Sequence, residues 1–513
     1  MSTQEYLFKP AEVEKLACLS KEDLITWIKG QEDIIAQIRA LNDNLLKEVK
    51  ATREQSIVVQ DQLLVLKSKF FGRSSEKSPS NELKNKHHES QQKLPPKARV
   101  QLPSLRYPNA PLVEKEIEFK EIPNCSCCNK KLSDSGMTED SERLTVIPKK
   151  FIIERLKRHI YRCDGCHGEL VTAPNLPRIK EGSSYGDELI IDVAVAKYDY
   201  LLPIERYVRM AEDLGVPDLP PQSLIETTHY LADFLEPLYE GIKTEVHAAE
   251  VLHADETPHR MLEGDKKKNW YLWGFSSDRS SCFELHNTRS GDVASDFLSQ
   301  SLCTHLMSDV FSGYKKAVTD ANSLRLRDGL IQIEQLYCNA HARRKFKEAE
   351  DNFLTESEYF LENYERIYFL NKLNKSRSVE VQTEILDIFN KMRVHALELI
   401  VQYPEKSSIC KALGYFLKNF NELTKFAASA GLPIDNNSQE RQMRNPVIGR
   451  KTWYGTHSKR GAKTAAILFS IMESCKLNGL NSNEYIEAQV QNLHFGRPFQ
   501  TPAKYTPAPA SMN

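Results

Sequence analysis

Residues 250–309 read EVLHADETPHRMLEGDKKKNWYLWGFSSDRSSCFELHNTRSGDVASDFLSQSLCTHLMSD. At the start of this stretch the apolar pattern changes from helical to strand-like. Residues 251–254 form a short apolar run bounded by Pro258. Residues 270–275 and 282–286 are two further runs rich in aromatic and branched side chains, and polar residues 276–281 join them as a hairpin. Residues 290–302 have helical spacing, and residues 305–308 make a fourth strand. Beyond them a short helix is expected from Tyr314, a fifth strand at 335–338 and a basic helix from Ala342. Residues 350–429 are helical throughout, and strand-type spacing does not return before Val447.

Three strands, a helix, a strand, a helix, a strand and a helix predict a multidomain α/β protein. Its catalytic domain is ribonuclease-H-like, with an all-helical insertion after the fifth strand. In such a sheet the first and fourth strands are neighbours. Asp255 is expected to end the first and Asp309 the fourth, 54 positions later. Turn residues follow each, Thr257-Pro258 and Ser312-Gly313. A lone Asp at a strand end is ordinarily a solvated surface residue; two at neighbouring ends can meet. Glu440 is the third candidate, in DNNSQERQMR at 435–444. Asn437 followed by Glu440 also fits a capping box, in which Glu440 only closes its own helix. Three converging carboxylates suit hard cations such as Mg²⁺ or Mn²⁺, and two such ions about 3.5–4 Å apart drive in-line displacement at phosphorus. No Ser, Tyr or His motif stands out as a covalent nucleophile. His253 and His341 read as neighbours that position water or DNA.

Outward from this core, residues 24–66 carry an apolar majority at 4-3 spacing, the seam of a coiled coil. An amphipathic helix packed on its own protein is the other reading. Residues 78–96 are polar, contain Pro95-Pro96 and read as a linker. CSCC at 125–128 and CDGC at 163–166 are two Cys-x-x-Cys knuckles 34 residues apart, which predict a zinc site of Cys125, Cys128, Cys163 and Cys166. Cys127 could replace Cys128, and His167 is a weaker substitute. Residues 187–246 look like a small helical unit whose spacing allows a helix-turn-helix. The tail from Phe495 is Pro-rich and expected to be disordered.

The expected division is 1–75 coiled coil, 76–104 linker, 105–180 zinc-binding domain and 181–245 helical domain. Residues 246–348 are the first part of the catalytic domain, 349–430 the helical insertion, 431–485 the second catalytic part and 486–513 the tail.

The formal charge of the 513-residue chain is −1, yet residues 67–99 hold nine Lys or Arg against three Glu. Basic islands on a neutral chain fit a nucleic-acid partner. Arg343, Arg344 and Lys345 start the helix after the fifth strand, Arg441, Arg444, Arg450 and Lys451 flank Glu440, and all are candidates to line a DNA path. A run of charge is more often a solvated face. Hydrophobic residues make up 40% of the chain, enough for a sizeable core. Eleven cysteines, an odd number, fit a reducing cytoplasm. No run of about 18 apolar residues would span a membrane.

The strings LHADETPHR, SDVFSGY, CNAHARRKF and DNNSQERQMRNPVIGRKTWYGTHS resemble the transposases of the insertion sequence 66 family. So do FGRSSEK at 71–77, the paired knuckles and AAILFSIMESCKLNGL at 465–480. The likeness runs from the coiled coil to about Tyr485. It implies a DDE-type catalytic domain whose acidic positions fall on Asp255, Asp309 and Glu440, cutting transposon ends and transferring them to target DNA. It also implies a zinc-binding domain, a bacterial, nucleoid-associated setting and small accessory proteins of the same element. Cys127 and WYGTHS at 453–458 depart mildly from the family's pattern. A silent DNA-binding regulator, or a metal-dependent nuclease without a joining step, are readings from other classes; intact carboxylates favour the transposase.

Overall fold

The computed structural model describes residues 20–71, 102–107, 112–114, 121–124, 126–132, 141–146, 149–162, 170–262, 269–373 and 378–507. The chain divides into a large unit (1–73, 157–212 and 217–513) and a small one (74–156 with 213–216).

The large unit is built on a five-stranded sheet. After a short antiparallel pair, β1 (Ile160–Arg162) and β2 (Leu170–Thr172), come β3 (Val251–Arg260), β4 (Asn269–Ser276), β5 (Ser281–His286), β6 (His305–Ser308) and β7 (Glu334–Tyr337). The order is β5-β4-β3-β6-β7. β3, β4 and β5 pair antiparallel, while β6 runs parallel to both β3 and β7. The hairpin and both later strands fall where the apolar runs place them.

β3 does not stop where the sequence suggests. It pairs with β6 only over Val251–His253, but continues beside β4 to Arg260. Pro258 is tolerated because beyond His253 no strand pairs on the β6 side, so its missing N–H costs no ladder bond there. Asp255 therefore sits inside a strand, just past the point where the β6 pairing ends.

Helices cover both faces of the sheet. Alternation along β4 sends Trp273 and Phe275 to one face, where Phe275 stacks on Phe297 of helix Gly291–Ser299 and Trp273 meets Tyr314 of helix Ser312–Arg327 edge-on. Gly274 and Ser276 point to the other face, under helix Asn437–Trp453. Burial on both faces is why β4 reads as one continuous apolar run.

The stretch expected as a separate helical domain, 181–245, forms helices Asp187–Tyr198, Ile204–Asp213, Pro221–Phe234 and Glu236–His247. Ile190, Leu231, Leu238 and Ile242 belong to the same buried cluster as Leu272, Trp273 and Phe283, so these helices share the sheet's core. Helices Leu354–Leu373, Val379–Ile400 and Ser408–Lys418 follow β7 and form the anticipated helical block, with an aromatic core of Phe346, Phe360, Tyr364, Phe389 and Phe416. Residues 447–448, where strand-type spacing could return, lie inside helix Asn437–Trp453, which runs through Pro446.

The C-terminal tail is packed as far as it is described. Phe499 lies where a side chain on Gly241 would sit, Tyr485 donates its hydroxyl to the Gln500 carbonyl at 2.6 Å, and Tyr505 packs on Tyr485.

Helix Lys21–Phe71 is a single 51-residue element. Its seam residues Ile28, Ile35, Ile38, Leu45, Val49, Val59 and Leu63 are exposed, and Asp61 is the anchor to the helical block. Its carboxylate is 3% exposed and accepts the Ser408 hydroxyl at 2.7 Å, the Ser408 amide and the Asn352 side chain. That places negative charge at the start of helix Ser408–Lys418, where backbone N–H groups are unsatisfied.

In the small unit, Ser104 donates its amide and hydroxyl to Glu142, each at 2.8 Å. An antiparallel bridge pairs Asn124 with Lys131. Among the described residues no helix is long and apolar enough to cross a membrane.

Candidate active site

Asp255 lies opposite Gly274 in the β3–β4 register. Cross-strand partners share a face, so Asp255 points to the side covered by helix Asn437–Trp453. Glu256 points the other way. Its carboxylate takes Arg289 at 2.6 and 2.9 Å and the Tyr314 hydroxyl at 2.6 Å, so it is spent on the scaffold.

Gly274 decides how close that helix can come. A Cβ there would stand 2.2 Å from Gln439 Nε2 and 2.8 Å from Met443 Sδ. Gln439, Gln442, Met443 and Pro446 form the buried stripe of the helix at spacings of three and four. Ser276 donates its hydroxyl to Gln439, and the Gln442 amide reaches Ser276 at 3.4 Å.

The helix start is tied to β3 by Asn436. Its side chain donates to the Ala254 carbonyl at 2.9 Å and its Oδ1 lies 2.9 Å from His253 Nδ1, while its backbone N–H donates to Cys338 Sγ at 3.2 Å. Asn436 makes no side-chain cap, and Asn437 instead bonds Asp435 at 2.8 Å. The capping-box alternative for Glu440 therefore does not hold: the helix is opened by tertiary bonds.

Asp309 follows β6 directly, and its Oδ1 accepts the Phe311 amide at 3.0 Å. Burial, then the charges of Glu256, Asp309 and Glu440, push the Asp255 carboxyl up to about 8. Both other candidate acids are thus near enough to oppose its ionisation. Glu440 Oε1 is buried without a hydrogen-bond partner and lies 3.8 Å from His341 Nδ1. A carboxylate held up by its neighbours and another with an orphaned oxygen are a donor set short of positive charge, and a hard divalent cation fits it.

The basic candidates fall into three settings. Arg343, Arg344 and Lys345 lie on helix Asn339–Ala349, with Arg344 and Lys345 on the same face as His341 by their spacing. Arg441, Arg444 and Lys451 are exposed, Arg444 one turn beyond Glu440. Arg450 is turned inward, 3.4 Å from the Thr257 hydroxyl. The WYGTHS loop docks on the end of β3: Thr456 donates its amide to the Arg260 carbonyl at 3.0 Å, and Gly455 adopts φ +119°, with no room for a Cβ against that carbonyl.

Of the expected zinc ligands, Cys128 is exposed and free, as is Cys127. Cys125, Cys163 and Cys166, and the substitute His167, lie outside the described residues. Gly274, Asn436 and Cys338 do not stand out as site residues in the sequence. The available signal is a glycine between two aromatic residues in an otherwise bulky strand, which marks close backbone approach.

The sequence model of the transposase IS66 family matches residues 182–464. That of the zinc-finger binding domain of transposase IS66 matches residues 123–167, which include both cysteine knuckles. Three proteins of Sinorhizobium fredii named as uncharacterized are similar over most of their length. The protein y4hP is 24% identical over 73% of this chain and 71% of its own. For y4jD the values are 24%, 72% and 75%, and for y4qI 25%, 75% and 73%.

Proposed function

This chain belongs to the transposase IS66 family, and from that premise we propose that it cuts transposon ends and joins them to target DNA by a DDE two-metal mechanism on a ribonuclease-H-like domain. The observation that carries the reading is that the charges of Asp309, after β6, and Glu440, on a distant helix, add to burial in opposing the ionisation of Asp255 on β3. The strand order β5-β4-β3-β6-β7 supports the fold assignment. Asp255, Asp309 and Glu440 would hold Mg²⁺ or Mn²⁺, which supplies a Lewis acid and an activated oxygen for displacement at phosphorus.

The chain's own part is positioning. Asn436 and Gly274 seat the helix that carries Glu440 closely on β3 and β4. Neutral His253, its imidazole held below its usual range by burial, braces Asn436. The direct test is cleavage and joining of element-end DNA by Asp255→Asn, Asp309→Asn and Glu440→Gln. Parental activity in Glu440→Gln would remove it from the triad.

The basic residues of both helices would carry the DNA backbone. Replacing exposed Arg441, Arg444 and Lys451 with Ala should weaken binding to all sequences alike. It should also flatten the salt dependence, by about 0.9 in log–log slope for each phosphate left without its cation. A loss confined to one base position would mean base readout instead.

Cys125, Cys128, Cys163 and Cys166 would hold one structural Zn²⁺ through thiolates, so purified protein should contain about one zinc per chain. Retention of that zinc by the Cys163→Ser, Cys166→Ser double variant would overturn the ligand set.

The exposed seam of helix Lys21–Phe71 would pair with a second copy as a coiled coil. Deleting residues 1–75 should lower the mass seen by light scattering; an unchanged mass would place assembly elsewhere. The setting of this chemistry would be the bacterial nucleoid.

A further inference from the structure

The CNAH segment at 338–341 opens helix Asn339–Ala349 immediately after β7, and brings its histidine to the third carboxylate. Cys338 Sγ, His341 Nδ1 and a Glu440 carboxylate oxygen lie within 4.8 Å of one another. The sulfur is taken up by the Asn436 amide. The other two atoms are not: His341 Nδ1 and Glu440 Oε1 are both buried, both without a hydrogen-bond partner, and 3.8 Å apart. That separation is too long for a hydrogen bond. It does match two ligands of a single ion, which stand roughly 3–4 Å apart when each metal–ligand bond is about 2.0–2.2 Å. Among the described residues, the fold leaves a buried imidazole nitrogen and a buried carboxylate oxygen close together, neither with a hydrogen-bond partner.

We propose that His341 is a fourth protein ligand of the catalytic centre, binding through Nδ1 the same divalent cation that Glu440 holds. The inference rests on the three-carboxylate reading and adds a nitrogen donor to it. A nitrogen donor selects among cations. Mg²⁺ takes oxygen ligands, whereas imidazole suits transition metals and divalent affinity rises along that series. The site therefore favours Mn²⁺ over Mg²⁺, and His341 is the residue that sets the preference.

The experiment is Mn²⁺ titration of the full-length, zinc-loaded chain, followed by electron spin-echo spectroscopy of the bound ion. Mn²⁺ binding lost in Asp255→Asn identifies the site. The expected result is a directly coordinated ¹⁴N signal in the parent that disappears in His341→Leu. Mn²⁺ affinity should fall about tenfold or more, with a smaller loss for Mg²⁺. His341→Asn serves as a second variant, with circular dichroism to check folding of each. Mn²⁺ that is lost in Asp255→Asn but shows no nitrogen coupling in the parent overturns the inference and leaves the three-carboxylate reading standing. Mn²⁺ binding indifferent to Asp255→Asn overturns both.

Discussion

Replacing Asp255 with Asn is expected to abolish cleavage of element-end DNA while making the metal-free protein more stable. The loss of activity should be at least about a thousandfold, because groups that act as one unit fail together when any member is removed. The gain in stability follows from the same geometry. Burial and the charges of Glu256, Asp309 and Glu440 raise the Asp255 carboxyl to about 8, against about 3.9 for an unfolded Asp. Between those values the folded state holds a proton that the unfolded state has released. Stability therefore falls as pH rises from about 4 to about 8. Keeping Asp255 protonated in the folded state at neutral pH costs on the order of a few kcal/mol, and Asn removes that cost while keeping the shape. In Mg²⁺-free solution the variant should melt above the parent at pH 8, and the gap should narrow as pH falls toward 4. Adding Mg²⁺ should raise the melting temperature of the parent but not of the variant. Equal stabilisation of both by Mg²⁺ would show that Asp255 holds no metal.

Gly274→Val is expected to be the most disruptive single change in the sheet, costing about 3 kcal/mol or more. A Cβ at 274 would meet Gln439 at 2.2 Å, Met443 at 2.8 Å and the Phe283 ring at 3.0 Å. None of the three can move out into water, because Gln439 is fully buried and bonded to Ser276, and Met443 and Phe283 belong to the core. The helix that carries Glu440 must then lift off β4. The urea midpoint should drop, and cleavage should fall by more than lost stability explains. Pairing Gly274→Ala with Gln439→Ala reopens space at the closest approach, so the double variant should recover part of what Gly274→Ala loses. Parental stability and cleavage in Gly274→Val would mean that the close approach of the helix is unnecessary.

Most of the sheet is legible in one dimension. Residues 270–275 and 282–286 must pair as a hairpin because two runs of bulky, branched and aromatic side chains flank a polar turn. Residues 305–308 are isolated by a helix on either side. Helical periodicity likewise marks the block after β7, and the long N-terminal helix is written in the apolar majority of its 4-3 spacing. These are local properties, set by which backbone conformation lets neighbouring side chains be buried together.

The remainder depended on partners far away in the chain. β3 runs through Pro258 because β4 pairs with it while β6 has already left, a fact of register that no window around Pro258 contains. The Pro-rich tail is held by Phe499 over Gly241 and by Tyr505 on Tyr485, although its composition alone reads as disordered. Residues 181–245 look self-sufficient in sequence, yet bury their apolar faces against the sheet. Glu440 shows the division most clearly. Its local sequence fits a helix cap, and a carboxylate can cap or bind metal with the same atoms. What the tertiary structure adds is the Asn436 bridge to Ala254, which ties the helix start to β3, and the empty position at Gly274, 166 residues before Glu440, which lets the helix lie close on β4. Local sequence sets which elements form, because propensity and periodicity act over a few residues. Packing across the sheet decides how those elements sit against one another, because burial is settled only when distant segments compete for the same space.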